Sequence, residues 1–370
     1  MKIAFVHDWI VTIWWAEKVL QDLIQEETFS QAEIFCIFGN KSYFKVNEKE
    51  IKINPVISNN FIINKIWYRN LMPIFPLLAW MLSRKIKKYN PEKIVISSFA
   101  VAKNIYATKN IQTSCPLKKF FCKNNKAKPY TKLYLHSPMQ YIRSSYDEYI
   151  NKLSIIKKNI YKIVAKYLRI WDKKFNKFDE VYFNSQYTAQ VANDIYWIRW
   201  EIKHPKLRQI FIQTPVKTSF EKYYIYVWRL VSFSREVDKV IQLFNENNEH
   251  LIIVWSWPDE IELKVKAKWK IIFVWQIKDD AKKINLLQWS SWLINITKES
   301  FGIITAESLS LWVPVLWYND WATPELVDEN SWILVNNKTI EELKEWFLKF
   351  QNANFDRQQI KENFLAKIGF

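Results

Sequence analysis

Residues 293–316 read LINITKESFGIITAESLSLWVPVL: an apolar run, a polar turn, a helical pattern and a second apolar run. A strand, a helix and a strand at this spacing argue for parallel strands in a buried sheet. The turn carries Glu299 and Glu307, eight positions apart, and between them Gly302, one of only 3 glycines in the chain. Glu299 falls on the loop and Glu307 about a turn inside the helix, so both carboxylates are expected near the helix N-terminus. There the unpaired amides and the positive end of the dipole favour a phosphate or another anion. Gly302 lets backbone amides approach such a ligand closely. Two glutamates at a given spacing are common on solvated faces; the context, SFGIITAE followed by SLSLWVPV, sets this pair apart.

The same rhythm runs outward. Apolar runs at 224–227, 251–254 and 270–274 alternate with helical patterns near 236–246, 259–268 and 279–288, and one more helical pattern lies near 323–328. In the N-terminal half, runs at 2–6, 32–38, 93–97, 132–135 and 180–183 alternate with helical stretches near 66–89, 143–177 and 186–196. This predicts an α/β protein of two Rossmann-like domains, residues 1–215 and 216–370, divided near the Pro-containing stretch 212–223. Ligand in such a pair belongs in the cleft, at the carboxyl ends of the strands of both sheets.

With 370 residues, 49% hydrophobic and 25% charged, the chain can bury one large core or two ordinary ones, which excludes disorder and collagen-like repetition. No apolar run reaches the roughly 18–20 residues of a membrane-spanning helix, and MKIAFVHDW lacks the pattern of a signal peptide. A cytoplasmic protein is expected. Cys36, Cys115 and Cys122 are widely spaced, without a CxxC or a Cys/His cluster, so reduced thiols are expected and no metal. Asp279-Asp280 reads as the acidic first turn of a helix rather than a metal site.

Charge is uneven: residues 1–220 carry a net +20 and residues 221–370 a net −3. Lys-rich composition explains the sign but not the asymmetry. A basic half can face nucleic acid, an anionic membrane or a phosphorylated acceptor. No nucleic-acid-binding module is recognisable, and no nucleic acid is expected. Residues 61–90 join an apolar stretch, FIINKIWYRNLMPIFPLLAWML, to the basic SRKIKK, a candidate for peripheral contact with an anionic membrane surface.

The ratio of Gly to Trp is abnormal. Gly occurs 3 times and Trp 20 times, where average usage gives roughly 26 glycines in a chain of this length. Trp stands where turns need Gly: Trp14-Trp15 ahead of a helix, Trp255 and Trp257 after a strand, Trp312 before Val-Pro-Val, Trp332 after Asn330-Ser331. Such a pattern arises if the source reads UGA as glycine and the sequence was translated with UGA as tryptophan. Trp9 and Trp171, in no turn context, are expected to be genuine.

With these residues in view, the chain resembles the family 4 glycosyltransferases, retaining enzymes of the two-domain GT-B fold. VHDWIVTIWWAEKVL resembles the family's VHDWL…GGAE; YLHSPMQY its CHTPMRY; LRIWD and FNSQYTA its later N-domain blocks. YIYVWRLV resembles YVGRLV, LIIVWSWPDE resembles LVIVGDGPDE, IIFVWQI resembles FLGRV, and Glu299 to Glu307 resembles the Glu-x7-Glu signature. Trp falls on the family glycine at positions 14, 15, 228, 255, 257, 275, 312 and 332.

The resemblance implies a nucleotide-sugar donor, no cofactor and no metal. It places the backbone of Trp14 and Trp15 against the donor diphosphate, Glu307 on the ribose hydroxyls, and Glu299 on the donor sugar near its reacting carbon. Backbone around Phe301, Gly302, Ile303 and Ile304 contacts sugar and phosphate, and Ile277 packs near the base. Arg229 neutralises the leaving diphosphate; Ser234 replaces the family's lysine, with Arg235 as substitute. His136 contacts the donor sugar or organises the acceptor. The VHDW…GGAE subgroup resembles mannosyltransferases, so GDP-mannose is the favoured donor and a UDP-sugar the alternative. A glycan or lipid-linked glycan is the implied acceptor. Relatives continue beyond the point where this sequence stops, LAKIGF, into a helix crossing back to the N-terminal domain.

Overall fold

The structure, a computed structural model, describes residues 1–11, 15–58, 68–105, 128–151, 153–173, 178–197, 201–215, 223–229, 237–256, 260–275, 277, 279–327, 332–335, 339–353 and 355–369. Two compact units divide at Lys203 and His204. The division lies ahead of the stretch 212–223 because Leu207 and Phe211 are buried in the core of the second unit.

The first unit runs β1 (Lys2–Ile10), α1 (Trp15–Gln25), β2 (Gln31–Gly39), β3 (Tyr43–Val46), β4 (Lys49–Ile57), α2 (Phe75–Tyr89), β5 (Lys93–Ser98), β6 (Tyr130–Leu135), α3 (Tyr146–Ile150), α4 (Ile155–Asp172), β7 (Glu180–Phe183), α5 (Gln186–Tyr196) and β8 (Glu201–Ile202). Its sheet has the order β3-β4-β2-β1-β5-β6-β7-β8. Pairing is parallel except for the antiparallel β3 and β4. The central strand β1 is buried from Ile3 to Ile10, as a strand covered on both faces must be. The antiparallel hairpin was not expected. Its turn is made by Asn47, which takes a left-handed φ of 53°, a conformation Asn tolerates.

The second unit runs α6 (Gln209–Gln213), β9 (Tyr224–Arg229), α7 (Val237–Asn247), β10 (Leu251–Ser256), α8 (Glu260–Lys266), β11 (Ile271–Trp275), α9 (Asp280–Trp289), β12 (Trp292–Asn295), α10 (Ile303–Ser310), β13 (Val315–Tyr318), α11 (Thr323–Leu326), β14 (Trp332–Val335), α12 (Ile340–Gln351) and α13 (Arg357–Ile368). All six strands are parallel, in the order β11-β10-β9-β12-β13-β14. Strand order reverses between β9 and β12 in this sheet, and between β1 and β5 in the first. These switch points open crevices at the carboxyl ends of the strands. The Glu299 loop leaves β12, and His7 lies near the end of β1, so each unit presents its polar residues at its switch point. Among the described residues no helix is long and apolar enough to cross a membrane.

Candidate active site

In the second unit, β12 ends at Asn295 and the chain turns through Glu299 and Gly302 into α10. Gly302 has φ 88° and ψ 59° at the N-cap; a Cβ there would lie 2.4 Å from a ring carbon of Trp317 and 3.0 Å from Glu299 Oε2. Only glycine fits. α10 is buried from Ile304 to Ser310, and its first-turn amides, from Ile303 onward, have no intrahelical acceptors. Glu299 is buried, with Oε1 3.3 Å from the Thr297 hydroxyl. Glu307, the fifth residue of α10, is buried as well, and Lys283 and Arg208 clamp it: Lys283 Nζ donates to Oε2, and Arg208 Nη2 donates to Oε1 at 3.2 Å. Arg208 also pairs with Asp280. Burial pulls the Lys283 ammonium below the usual lysine range, with Glu307 pulling the other way. The two cations fix the rotamer of Glu307 while leaving lone pairs on both oxygens for a further donor.

In the first unit, parallel register sets His7 beside Ser97, and His136 follows β6, its amide donating to Ser98 O at 2.9 Å. His7 Nδ1 lies 2.9 Å from the Ser97 carbonyl oxygen and 3.1 Å from its hydroxyl. A carbonyl only accepts, so His7 Nδ1–H is the donor. The Ser97 hydroxyl then donates to His136 Nε2, 2.8 Å away, and this network assigns the His136 proton to Nδ1. Glu17 Oε1 stands 3.8 Å from His7 Nε2 at the other end of the chain. Burial, with His7 adding to it, pushes His136 down to about 3, so the ring is neutral near pH 7. A neutral imidazole with one N–H is a hydrogen-bond donor of fixed direction, and a poor base.

Beside this chain, the Asp8 carboxylate takes five hydrogen bonds. Oδ2 accepts from Ser98 Oγ at 3.0 Å, Phe99 N at 2.6 Å and Ala100 N at 3.0 Å; Oδ1 accepts from Val101 N and Ala102 N, both at 2.6 Å. Successive amides turned toward one anion form a nest, and here the chain fills it with its own carboxylate. Behind it, buried Lys103 pairs with Asp172 at 2.5 Å, and Asp172 also accepts from Arg143 and Tyr196.

The structure thus gathers Glu299, Phe301, Gly302, Ile303, Ile304 and Glu307 on one loop and helix, with Ile277 half-buried against the same core. His136 sits in the first unit. Trp15 opens α1, and Arg229 ends β9 with its side chain outside the described residues, as Trp14 and Arg235 are altogether. Asp279 caps α9 by accepting from Lys282 N at 2.9 Å, the helix start read from Asp279-Asp280. Arg208, Lys283, His7, Ser97 and Asp8 escaped sequence reasoning. The two cations reach Glu307 from other elements and obey no spacing rule, whereas His7 and Asp8 follow the apolar run 2–6 and read as a polar turn, although β1 runs on to Ile10 and buries them.

Backbone geometry separates the tryptophans. Trp197, Trp312 and Trp321 have φ of 56°, 63° and 57°, a region in which bulky residues are outliers. Trp197 caps α5 and Trp312 follows Leu311, the cap of α10; their amides bond to Asn193 O and Leu309 O, at the left-handed helix ends where glycine is usual. Trp9 and Trp171, in contrast, pack in the core of the first unit. The side chains of Trp228, Trp255 and Trp332, and the whole of Trp257, lie outside the described residues.

No family model matches the chain, and no curated protein matches it in sequence. Solved structures do match. A sucrose-phosphate synthase from Thermosynechococcus elongatus aligns with a TM-score of 0.70 at 11% identity, over 99% of this chain and 94% of its own. The lipopolysaccharide outer core galactosyltransferase WaaB aligns at 0.59 and 13%, over 100% and 96%. Anabaena HepE, solved with UDP and glucose, aligns at 0.60 and 14%, over 100% and 99%. The fold is GT-B. At such identities the likeness is one of architecture.

Proposed function

We propose that this chain is a retaining glycosyltransferase that moves a hexose from a nucleotide-sugar donor to a glycan or lipid-linked glycan acceptor in cell-envelope polysaccharide synthesis. The observation that carries this reading is the buried pair Glu299 and Glu307, bracketing Gly302 and the first turn of α10 at a switch point. A sugar diphosphate uses every part of it. The first-turn amides and helix dipole meet the phosphate charge, Gly302 offers no side chain to hold it off, and the carboxylates accept from hydroxyls. In this reading Glu307 holds the ribose, Glu299 the donor sugar, Ile277 lies by the base, and Arg229 with Arg235 offsets the charge of the leaving diphosphate. His136 orients the acceptor hydroxyl as a neutral donor. The acceptor oxygen bonds to the anomeric carbon as the carbon–oxygen bond to phosphate breaks. The electron pair goes to the diphosphate, whose oxygen takes the hydroxyl proton, so no protein nucleophile and no metal is required. GDP-mannose is the favoured donor and a UDP-sugar the alternative.

We also propose that glycine stands in the protein at positions 14, 15, 228, 255, 257, 275, 312 and 332, with 197 and 321 added. The three left-handed tryptophans support this reading, as does the strong exposure of the Trp197 indole. The codons decide it: UGA at these positions and UGG at 9 and 171 is the expected result, and UGG throughout refutes it. The transferase reading is tested by incubating the glycine-bearing chain with GDP-mannose and with UDP-hexoses, following nucleoside diphosphate release and the anomeric configuration of the product by NMR. Acceptor-dependent release with retention is expected, falling on the order of 10²–10³-fold in Glu299→Gln. Release of free sugar without an acceptor, or no release from any donor by a folded chain, would sink the proposal.

A further inference from the structure

Helix α4 carries two apolar faces. Ala165, Leu168 and Trp171 are buried in the core of the first unit. On the other side Ile156, Ile160, Ile163, Tyr167 and Ile170 follow one another at helical spacing, so they form one stripe about 21 Å long. They are between 49% and 76% exposed. Soluble surfaces usually scatter large apolar side chains singly. Here, with Ile155, six of the 21 exposed large apolar residues among the described ones lie on a single helix. Lysines border the stripe: Lys162 and Lys166 on one flank and Lys157 on the other, all exposed. The helix has one acidic residue, Asp172, which is buried and paired with Lys103 and Arg143.

We propose that this face of α4 seats the chain on an anionic lipid surface. Charge decides among the occupants. A second copy of the chain, meeting α4 about a two-fold axis, would set the same lysines against one another, with no exposed acid on the helix to pair them. A nucleic acid would satisfy the lysines but leave an aliphatic stripe against phosphate. The boundary of an anionic bilayer satisfies both: acyl chains for the isoleucines, headgroup phosphates for ammonium groups on flexible stems, and an interfacial level that suits Tyr167.

The surface differs from the one expected at residues 61–90. There α2 buries Phe75, Leu78, Leu82 and Ile86, and exposes Leu77, Trp80 and Met81 near Lys87 and Lys88. Residues 59–67 lie outside the described residues. α4 packs against the turn at 68–74 that leads into α2, so the two helices share one side of the unit's construction. The proposal concerns the first unit alone and does not depend on the transfer reaction.

The test is co-sedimentation of the full chain with vesicles of phosphatidylcholine alone and of phosphatidylcholine with phosphatidylglycerol. Binding to the anionic vesicles is expected, weakening as salt is added. Ile160→Ser with Ile163→Ser, and separately Lys162→Glu with Lys166→Glu, should each lower the partition coefficient at least about tenfold. Ile261→Ser with Val265→Ser, at 81% and 82% exposure on α8, should leave it unchanged. Far-UV circular dichroism of each variant checks the fold, which these exposed positions do not support. A wild-type chain that stays in the supernatant overturns the proposal. So does equal loss in the α8 control, or a wild-type dimer that the Ile160/Ile163 variant converts to monomer without any vesicle binding.

Discussion

A histidine that burial holds neutral makes two demands on the residues around it. His136 refuses a proton in the folded chain until about pH 3, whereas in the unfolded chain it takes one below about 6.5. The unfolded state therefore binds more protons across that window. Native stability is complete above it and falls as the pH drops through it, by up to about 1.4 kcal/mol per pH unit. Unfolding free energies of His136→Asn from urea curves between about pH 6 and pH 4 should fall less steeply than those of the parent, by up to that slope; parallel trends would show that His136 is not the group responsible. The second demand is direction. Ser97→Ala removes the hydroxyl that donates to Nε2, so the ¹⁵N shifts of the ring should report loss of the fixed Nδ1–H tautomer, and Ser97→Thr should restore it.

Helices in this molecule are set by their ends. Asp279 and Thr339 cap α9 and α12 through side-chain oxygens, and Gly302 opens α10 in a conformation that only glycine holds there. Trp197 closes α5 with its indole 87% exposed, so it contributes strain and little packing. A chain with glycine at 197 is expected to be about 1–2 kcal/mol more stable than one with tryptophan there, in urea unfolding at constant m; equal midpoints would mean that the left-handed cap carries no strain. α10 tests the opposite case. Lys283→Met leaves Glu307 buried with one clamp instead of two, and a loss of about 1.5–3 kcal/mol, that of one hydrogen bond to a charged group, is expected, read from the same unfolding curves.

These element ends also show how much could be read beforehand. The parallel strands and most helices of both halves were legible because buried βα units write long apolar runs at regular spacing. So was the Glu299 to Glu307 turn, which is local. The hairpin β3–β4 was passed over, although Phe44 and Val46 alternate with exposed Tyr43 and Lys45, because four residues of alternation compete poorly with a fully apolar neighbour. The clamp on Glu307 was illegible in principle: Arg208 lies 99 positions away, and only the fold brings it there.

At the scale of the whole molecule, each unit has its own sheet and its own buried clusters. Units of this size with separate cores are expected to unfold in separate steps. Calorimetry should show two transitions, with Lys283→Met lowering only that of the second unit; a single transition that shifts as a whole would show tight coupling. The charge asymmetry follows the same division, which places the basic surface with α4 and its apolar stripe. On the two proposals above, one unit meets a charged, greasy boundary and the other a sugar diphosphate, its phosphate at helix amides and its hydroxyls at buried carboxylates.

The cradle around Asp8 gives the loop after β5 an unusual independence. Loops that bind anions through their amides commonly take shape only when the anion arrives. This one is closed by a carboxylate of its own chain, so residues 98–102 have their geometry before anything binds. Their amide hydrogens should therefore exchange with deuterium as slowly as those of the central strands, in the absence of any added sugar or nucleotide. The neighbouring histidine pair would then work from a floor that is already laid.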